Sequence, residues 1–234
     1  MPDLVPYEGA REVVTRSPAR SVGIVNAPHV QPHPIEYESE NERNFVVSAI
    51  LCPWLSVLIH QPVTLKLGRK EYTPDFGKKF SDGSVAITEV KMAHRVKENR
   101  SLFNAAAAAL RAKGREFYVV HDGQSNAQGR AERAEFVKKY AAHVISPGKR
   151  AAISALVGSA GARGVPIGQV MESCMASRWD LLHMVSVRVI TLDRYLHMSD
   201  DDRVFRPPAM PSKCSKHFGE WFGCAPWNDG TSGK

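Results

Sequence analysis

Between Ser39 and His121 the spacing of apolar positions changes several times, and each change marks a predicted element. Phe45, Val46, Ala49 and Ile50 recur at three-to-four spacing behind Ser39-Glu40-Asn41-Glu42, which predicts a helix opening at Ser39. Ser39 and Glu42 have the S-x-x-E spacing of a capping box, in which the glutamate serves backbone donors at the helix start. Glu42 also shares a stripe with Phe45, Val46 and Ala49, so its carboxylate can equally look inward, where it needs a partner or a cation. After Pro53, the apolar and β-branched run Leu55 to Leu65 predicts a strand that bends at Pro62. A further extended segment runs from Arg69 to Phe76. Ser81-Asp82-Gly83-Ser84 is a turn signal leading into a strand from Val85 to Val90, so the two form a hairpin. Val96 to Ala112 predicts a helix stopped by Gly114. Arg115 to His121 predicts a strand, and Ala131 to Ala142 a helix. The sum is an α/β domain with a mixed sheet and flanking helices.

Ser146-Pro147-Gly148 reads as a linker, which closes a first domain at residues 1–146. Residues 149–208 form the second. Lys149 to Val157 is helical there, Pro166 opens a short helix and Ala176 to Val187 makes a third. Val189 to Leu192 and Arg203 to Phe205 predict a hairpin around Asp200-Asp201-Asp202, so the module is a small, winged-helix-like α+β domain. Residues 209–234, rich in Pro, Gly and Ser, are expected to form a flexible tail whose aromatic stretch, Trp221 to Trp227, docks on a partner. Residues 1–34 predict an irregular basic arm carrying Arg11, Arg16 and Arg20.

Charge narrows the partners. Lys and Arg outnumber Asp and Glu by 31 to 24, a net +7, which favours a polyanion and above all nucleic acid. Arg16 and Arg20 on the arm, and Arg178 and Arg188 in the second domain, are the candidate DNA contacts, although each also serves as a solvated surface residue. No run approaches the roughly 18 apolar residues of a membrane helix, since Pro53 breaks Ala49 to Ile59. Met1 to Pro6 lacks the pattern of a signal peptide. A cytoplasmic protein is expected, with Cys52, Cys174, Cys214 and Cys224 reduced. Cys214, His217 and Cys224 lack an evident fourth ligand for zinc.

The chemistry gathers in the hairpin. Period-two alternation puts Val85, Ile87, Glu89 and Lys91 on one face of the strand and Ala86, Thr88 and Val90 on the other. Asp75, at the head of the preceding run, can then lie beside Glu89 and Lys91. Paired carboxylates with a lysine suit a hard cation and an activated water. Pro74-Asp75 followed by Glu89-Val90-Lys91 resembles the signature of the PD-(D/E)xK nucleases.

The ordered set is more specific. Glu38 to Glu42 at a helix start, a strand ending Gln61-Pro62, Tyr72-Thr73-Pro74-Asp75-Phe76 and Glu89-Val90-Lys91 together resemble the catalytic domain of TnsA-type transposon endonucleases, over roughly residues 11–122. The resemblance implies a restriction-endonuclease-like mixed sheet flanked by helices. It implies that Glu42, Asp75 and Glu89 hold Mg²⁺, with Mn²⁺ as a substitute, that the Val90 carbonyl is a further ligand, and that Lys91 completes the site. Glu38 and Glu40 are the alternatives to Glu42 one helical step away. It also implies double-stranded DNA at transposon ends as substrate, cut on the 5′ strands, with a TnsB-type transposase subunit and a TnsC-type ATPase regulator as partners in a bacterial cytosol. A stand-alone restriction or repair nuclease, and a non-catalytic scaffold on the same fold, are the competing expectations.

Overall fold

The computed structural model describes residues 21–228. Short strands Gly23–Val25 (β1) and Ile35–Tyr37 (β2) pair antiparallel and lead into helix Glu40–Ala49 (α1). Strands Leu55–His60 (β3), Leu65–Leu67 (β4), Lys70–Tyr72 (β5), Phe76–Phe80 (β6) and Val85–Lys91 (β7) follow. Next come helices Ala93–Val96 (α2) and Arg100–Arg111 (α3), strand Glu116–His121 (β8), and helices Asp122–Ser125 (α4) and Arg130–Lys138 (α5). Pro147–Ser159 (α6), Val165–Pro166 (β9), Ile167–Ser173 (α7), Arg178–Ser186 (α8), Arg203–Val204 (β10) and Cys214–Phe222 (α9) complete the order.

These elements sort into two compact units. Of the described residues, the first takes those up to Ile50, then Trp54–Asn126, then those from Met210 on; the second takes Leu51–Pro53 and Ala127–Ala209. The division differs from the expected boundary at residue 146. Helix α5 falls in the second unit, and the C-terminal segment returns to the first.

The first unit is built on a four-stranded mixed sheet in the order β3-β6-β7-β8. β3, β6 and β7 run antiparallel in succession, and β8 lies parallel to β7. The β6–β7 hairpin turns where expected: Gly83 takes φ +80°, and Asp82 Oδ1 accepts from the Ser84 amide at 2.9 Å. Ala86 to Val90 are all buried, so the alternation of β7 separates two covered faces rather than core from water. On one face Ile87, Phe117 and Val119 pack against Phe103, Ala106, Ala107 and Leu110, the i, i+3, i+4, i+7 stripe of α3. On the other, Phe45 of α1 and Phe218 and Phe222 of α9 enclose Phe76 and Phe80, with ring centroids 4.8–6.1 Å apart.

Several local expectations change. The strand from Leu55 stops at His60, because Gln61 takes φ +46° ahead of Pro62. The helix expected from Val96 to Ala112 begins only at Arg100, and Val96 instead ends a separate short helix, with Asn99 between them turning its side-chain amide onto the Arg95 carbonyl at 2.9 Å. The flexible tail is corrected over Cys214–Phe222: Cys214, Phe218, Trp221 and Phe222 are buried, and the Trp221 indole donates to the Ser48 carbonyl at 3.1 Å. Gly219 permits this seating, since a Cβ there would lie 2.6 Å from the Cys224 carbonyl oxygen.

In the second unit, Ser146-Pro147-Gly148 is no linker. Ser146 caps α6 and Pro147 fills its first turn, where the missing N–H costs nothing. Helices α6, α7 and α8 surround a core that includes Ile153, Val170, Leu182 and Met184. β9 pairs antiparallel with β10, and the strand expected over Val189 to Leu192 reduces to a single bridge from Thr191 to Phe205. Asp180 ties the unit together: it accepts from Ser177 N–H and hydroxyl at 2.8 Å, from Lys149 at 3.2 Å, and pairs with His143 at 3.0 Å. Among the described residues no helix is long and apolar enough to cross a membrane.

Candidate active site

The β6–β7 register fixes the centre of the site. Phe76 pairs with Thr88, so the next pair sets Asp75 beside Glu89 on the same face. Asp75 Oδ2 accepts from the Val90 N–H at 2.7 Å, and the Asp75 carbonyl accepts from Gln61 N–H at 2.6 Å. Glu89 is 2% exposed; its Oε1 accepts from Lys91 Nζ at 2.7 Å and its Oε2 from the Tyr72 hydroxyl at 2.7 Å. Glu42, 8% exposed, comes from the first turn of α1. Its Oε2 accepts from Glu38 N–H at 2.8 Å and meets His60 Nε2 at 3.2 Å, while Oε1 accepts from the Ser39 hydroxyl at 2.9 Å. The Ser39 oxygen in turn accepts from Glu42 N–H at 3.2 Å. The cap and the inward carboxylate are thus the same residue.

Like charge dominates the electrostatics. Burial, and then the neighbouring Glu89 and Glu42 carboxylates, push the Asp75 carboxyl well above the usual range, against the Val90 N–H and Lys91. Burial alone would lower Lys91, but Glu89, Asp75 and Glu42 hold its ammonium above its ordinary value. Lys91 therefore keeps its proton at neutral pH and supplies charge rather than a base. Burial would also raise Glu42, yet His60, the Glu38 N–H and the Ser39 hydroxyl leave it lower than usual. An all-oxygen set of crowded carboxylates suits a hard divalent cation such as Mg²⁺. Among the described residues no three His, Cys, Asp or Glu side chains already stand as a group able to hold a metal, so the donors fit in chemistry without forming a finished cage.

The other expected positions divide. Glu40 is exposed and Glu38 is engaged by Gln61 Nε2 at 3.2 Å, whereas Glu42 is the helix carboxylate whose charge acts on Asp75. Arg16 and Arg20 lie outside the described residues. Arg178 donates to the Met198 carbonyl and to Asp200. Arg188, at φ +61°, donates to the Cys52 carbonyl at 3.2 Å. Both guanidiniums thus make bonds inside the second unit. Cys214, His217 and Cys224 are in no such metal-holding group.

His60 and Tyr72 contact the carboxylates, and no role was expected of either. The available signals were a lone histidine at the end of an apolar strand, and a tyrosine three residues ahead of Asp75. Compared with known proteins, the chain matches no family model, and no curated protein matches it significantly.

Proposed function

We propose that the chain is a metal-dependent DNA endonuclease of the PD-(D/E)xK kind, acting as the TnsA-type subunit that cuts the 5′ strands at transposon ends. The observation that carries the reading is the meeting of Asp75, Glu89 and Lys91, with Glu42 beside them, at one end of a mixed sheet. The strand order and pairing of the first unit are compatible with the restriction-endonuclease-like core expected from the resemblance. The pairing of β9 with β10 beside α7 and α8 is compatible with a winged helix.

Asp75, Glu89 and Glu42, with the Val90 carbonyl, would hold Mg²⁺. Bound there, the cation would lower the pKa of a water and offset charge on the phosphate oxygens. Glu89 and Asp75 orient the site through fixed hydrogen bonds, and their crowding favours a positive partner. The Lys91 ammonium, held between carboxylates, can turn toward a phosphate oxygen as charge develops there.

The test is incubation with end-containing duplex DNA and Mg²⁺, with and without the co-encoded transposase, mapping nicks on each strand. Nicks confined to the 5′ strands, lost in Asp75→Asn and in EDTA, support the reading; full cutting in EDTA removes it. The lack of a finished cage favours one competing reading, a nuclease-like scaffold without metal. For that scaffold, Mn²⁺ titration would give the same result in wild type and Asp75→Asn.

A further inference from the structure

Two donors stand behind the carboxylates, and among the described residues each has a single hydrogen-bond partner. The Tyr72 hydroxyl donates to Glu89 Oε2 at 2.7 Å. His60 is 6% exposed, its Nε2 faces Glu42 Oε2 at 3.2 Å, and its Nδ1 is buried with no hydrogen-bond partner among the described residues. The ionised Glu42 carboxylate can only accept, so Nε2 carries the hydrogen. The ring of Phe76, 5.3 Å away and inclined at 62°, fixes the plane of the imidazole. Filling space would not call for either group. A phenylalanine in place of Tyr72, or an apolar residue in place of His60, would avoid the cost of burying a polar group.

We propose that Tyr72 and His60 are positioning residues, each holding one oxygen of Glu89 or Glu42 so that the rest of the carboxylate faces a divalent cation. The proposal rests on the metal reading above. Donors of this kind orient metal ligands, and their loss weakens metal binding by about 10–100-fold.

The test is calorimetric titration of Mn²⁺ into the full chain and into Tyr72→Phe, His60→Ala and His60→Gln, with thermal unfolding of each in EDTA as the fold control. Tyr72→Phe and His60→Ala are expected to weaken Mn²⁺ by about 10-fold or more. Tyr72→Phe, which removes one oxygen and little volume, should unfold close to wild type. His60→Gln keeps an N–H donor and should recover part of the affinity lost in His60→Ala. Unchanged affinity in both Tyr72→Phe and His60→Ala, with wild type binding Mn²⁺, overturns the positioning role and leaves the metal reading intact. Losses that only track the folded fraction, with no recovery in His60→Gln, overturn it as well. Folded wild type that takes up no Mn²⁺ overturns both.

Discussion

Asp75 is held where its charge is least welcome, and that can be measured without any substrate. Its folded value lies above its unfolded one, so between the two the native state binds the extra proton. Stability therefore falls as pH rises through that window, and asparagine, which does not titrate, escapes the loss. In EDTA, Asp75→Asn should melt a few degrees higher than wild type near pH 8 and show no gain below pH about 4, read from thermal unfolding across pH. Asp180 has the opposite sign. Burial would raise it, but His143, Ser177 and Lys149 depress it, so its contribution is present above the ordinary carboxylate value and is lost as pH falls below that value. Asp180→Asn should cost about 1–3 kcal/mol near pH 7 in denaturant unfolding, and the difference should close in acid. The carboxylate and lysine on β7 were legible because a period of two needs no tertiary information. Tyr72 and His60 were not, since each reaches a partner 17 or 18 residues away, across elements whose pairing the spacing does not reveal.

Among the elements, α9 shows where composition misleads. Pro, Gly and Ser on either side suggested a loose tail, yet Cys214, Phe218, Trp221 and Phe222 fall at i, i+4, i+7 and i+8, the stripe of a helix with a core to cover. The density of turn residues outweighed a pattern only nine residues long. Sequence order carried the mixed sheet itself, because the Ser81 to Ser84 turn and the apolar strands around it have strong local signals. Phe218 meets Phe45 and Phe80 edge-on and Phe222 at a tilt, and its ring lies 3.8 Å from the fully buried Lys78 ammonium. Phe218→Ala should therefore destabilise the first unit by about 3–5 kcal/mol in urea unfolding. Ending the chain at Ala209 removes the whole aromatic wedge and should give insoluble protein, as judged by the soluble fraction on expression.

At the scale of the whole molecule, the second unit interrupts the first. The chain leaves at Asn126 and resumes at Met210, so a protein cut after Ser146 loses part of the first unit along with the second. Replacing Ala127–Ala209 with a long Gly/Ser linker should keep the first unit folded; on the proposed function it should still take up Mn²⁺ by calorimetry, while cutting at transposon ends in a reconstituted mixture should be lost. Linker protein that fails to fold would show that the two units are one cooperative body.

The interruption also sets an order of events on the ribosome. The sheet beside Asp75, Glu89 and Lys91 is synthesised before the second unit, but the helix that closes its aromatic face is made only after Ala127–Ala209. At about 5–20 residues per second the gap between β8 and α9 lasts on the order of ten seconds. Throughout that interval Phe45, Phe76 and Phe80 lack their cover, and the second unit has time to fold first. The unit that carries the candidate site therefore stays unfinished until the chain has been made past Phe222, so on the proposed function a product released before α9 would not cut DNA.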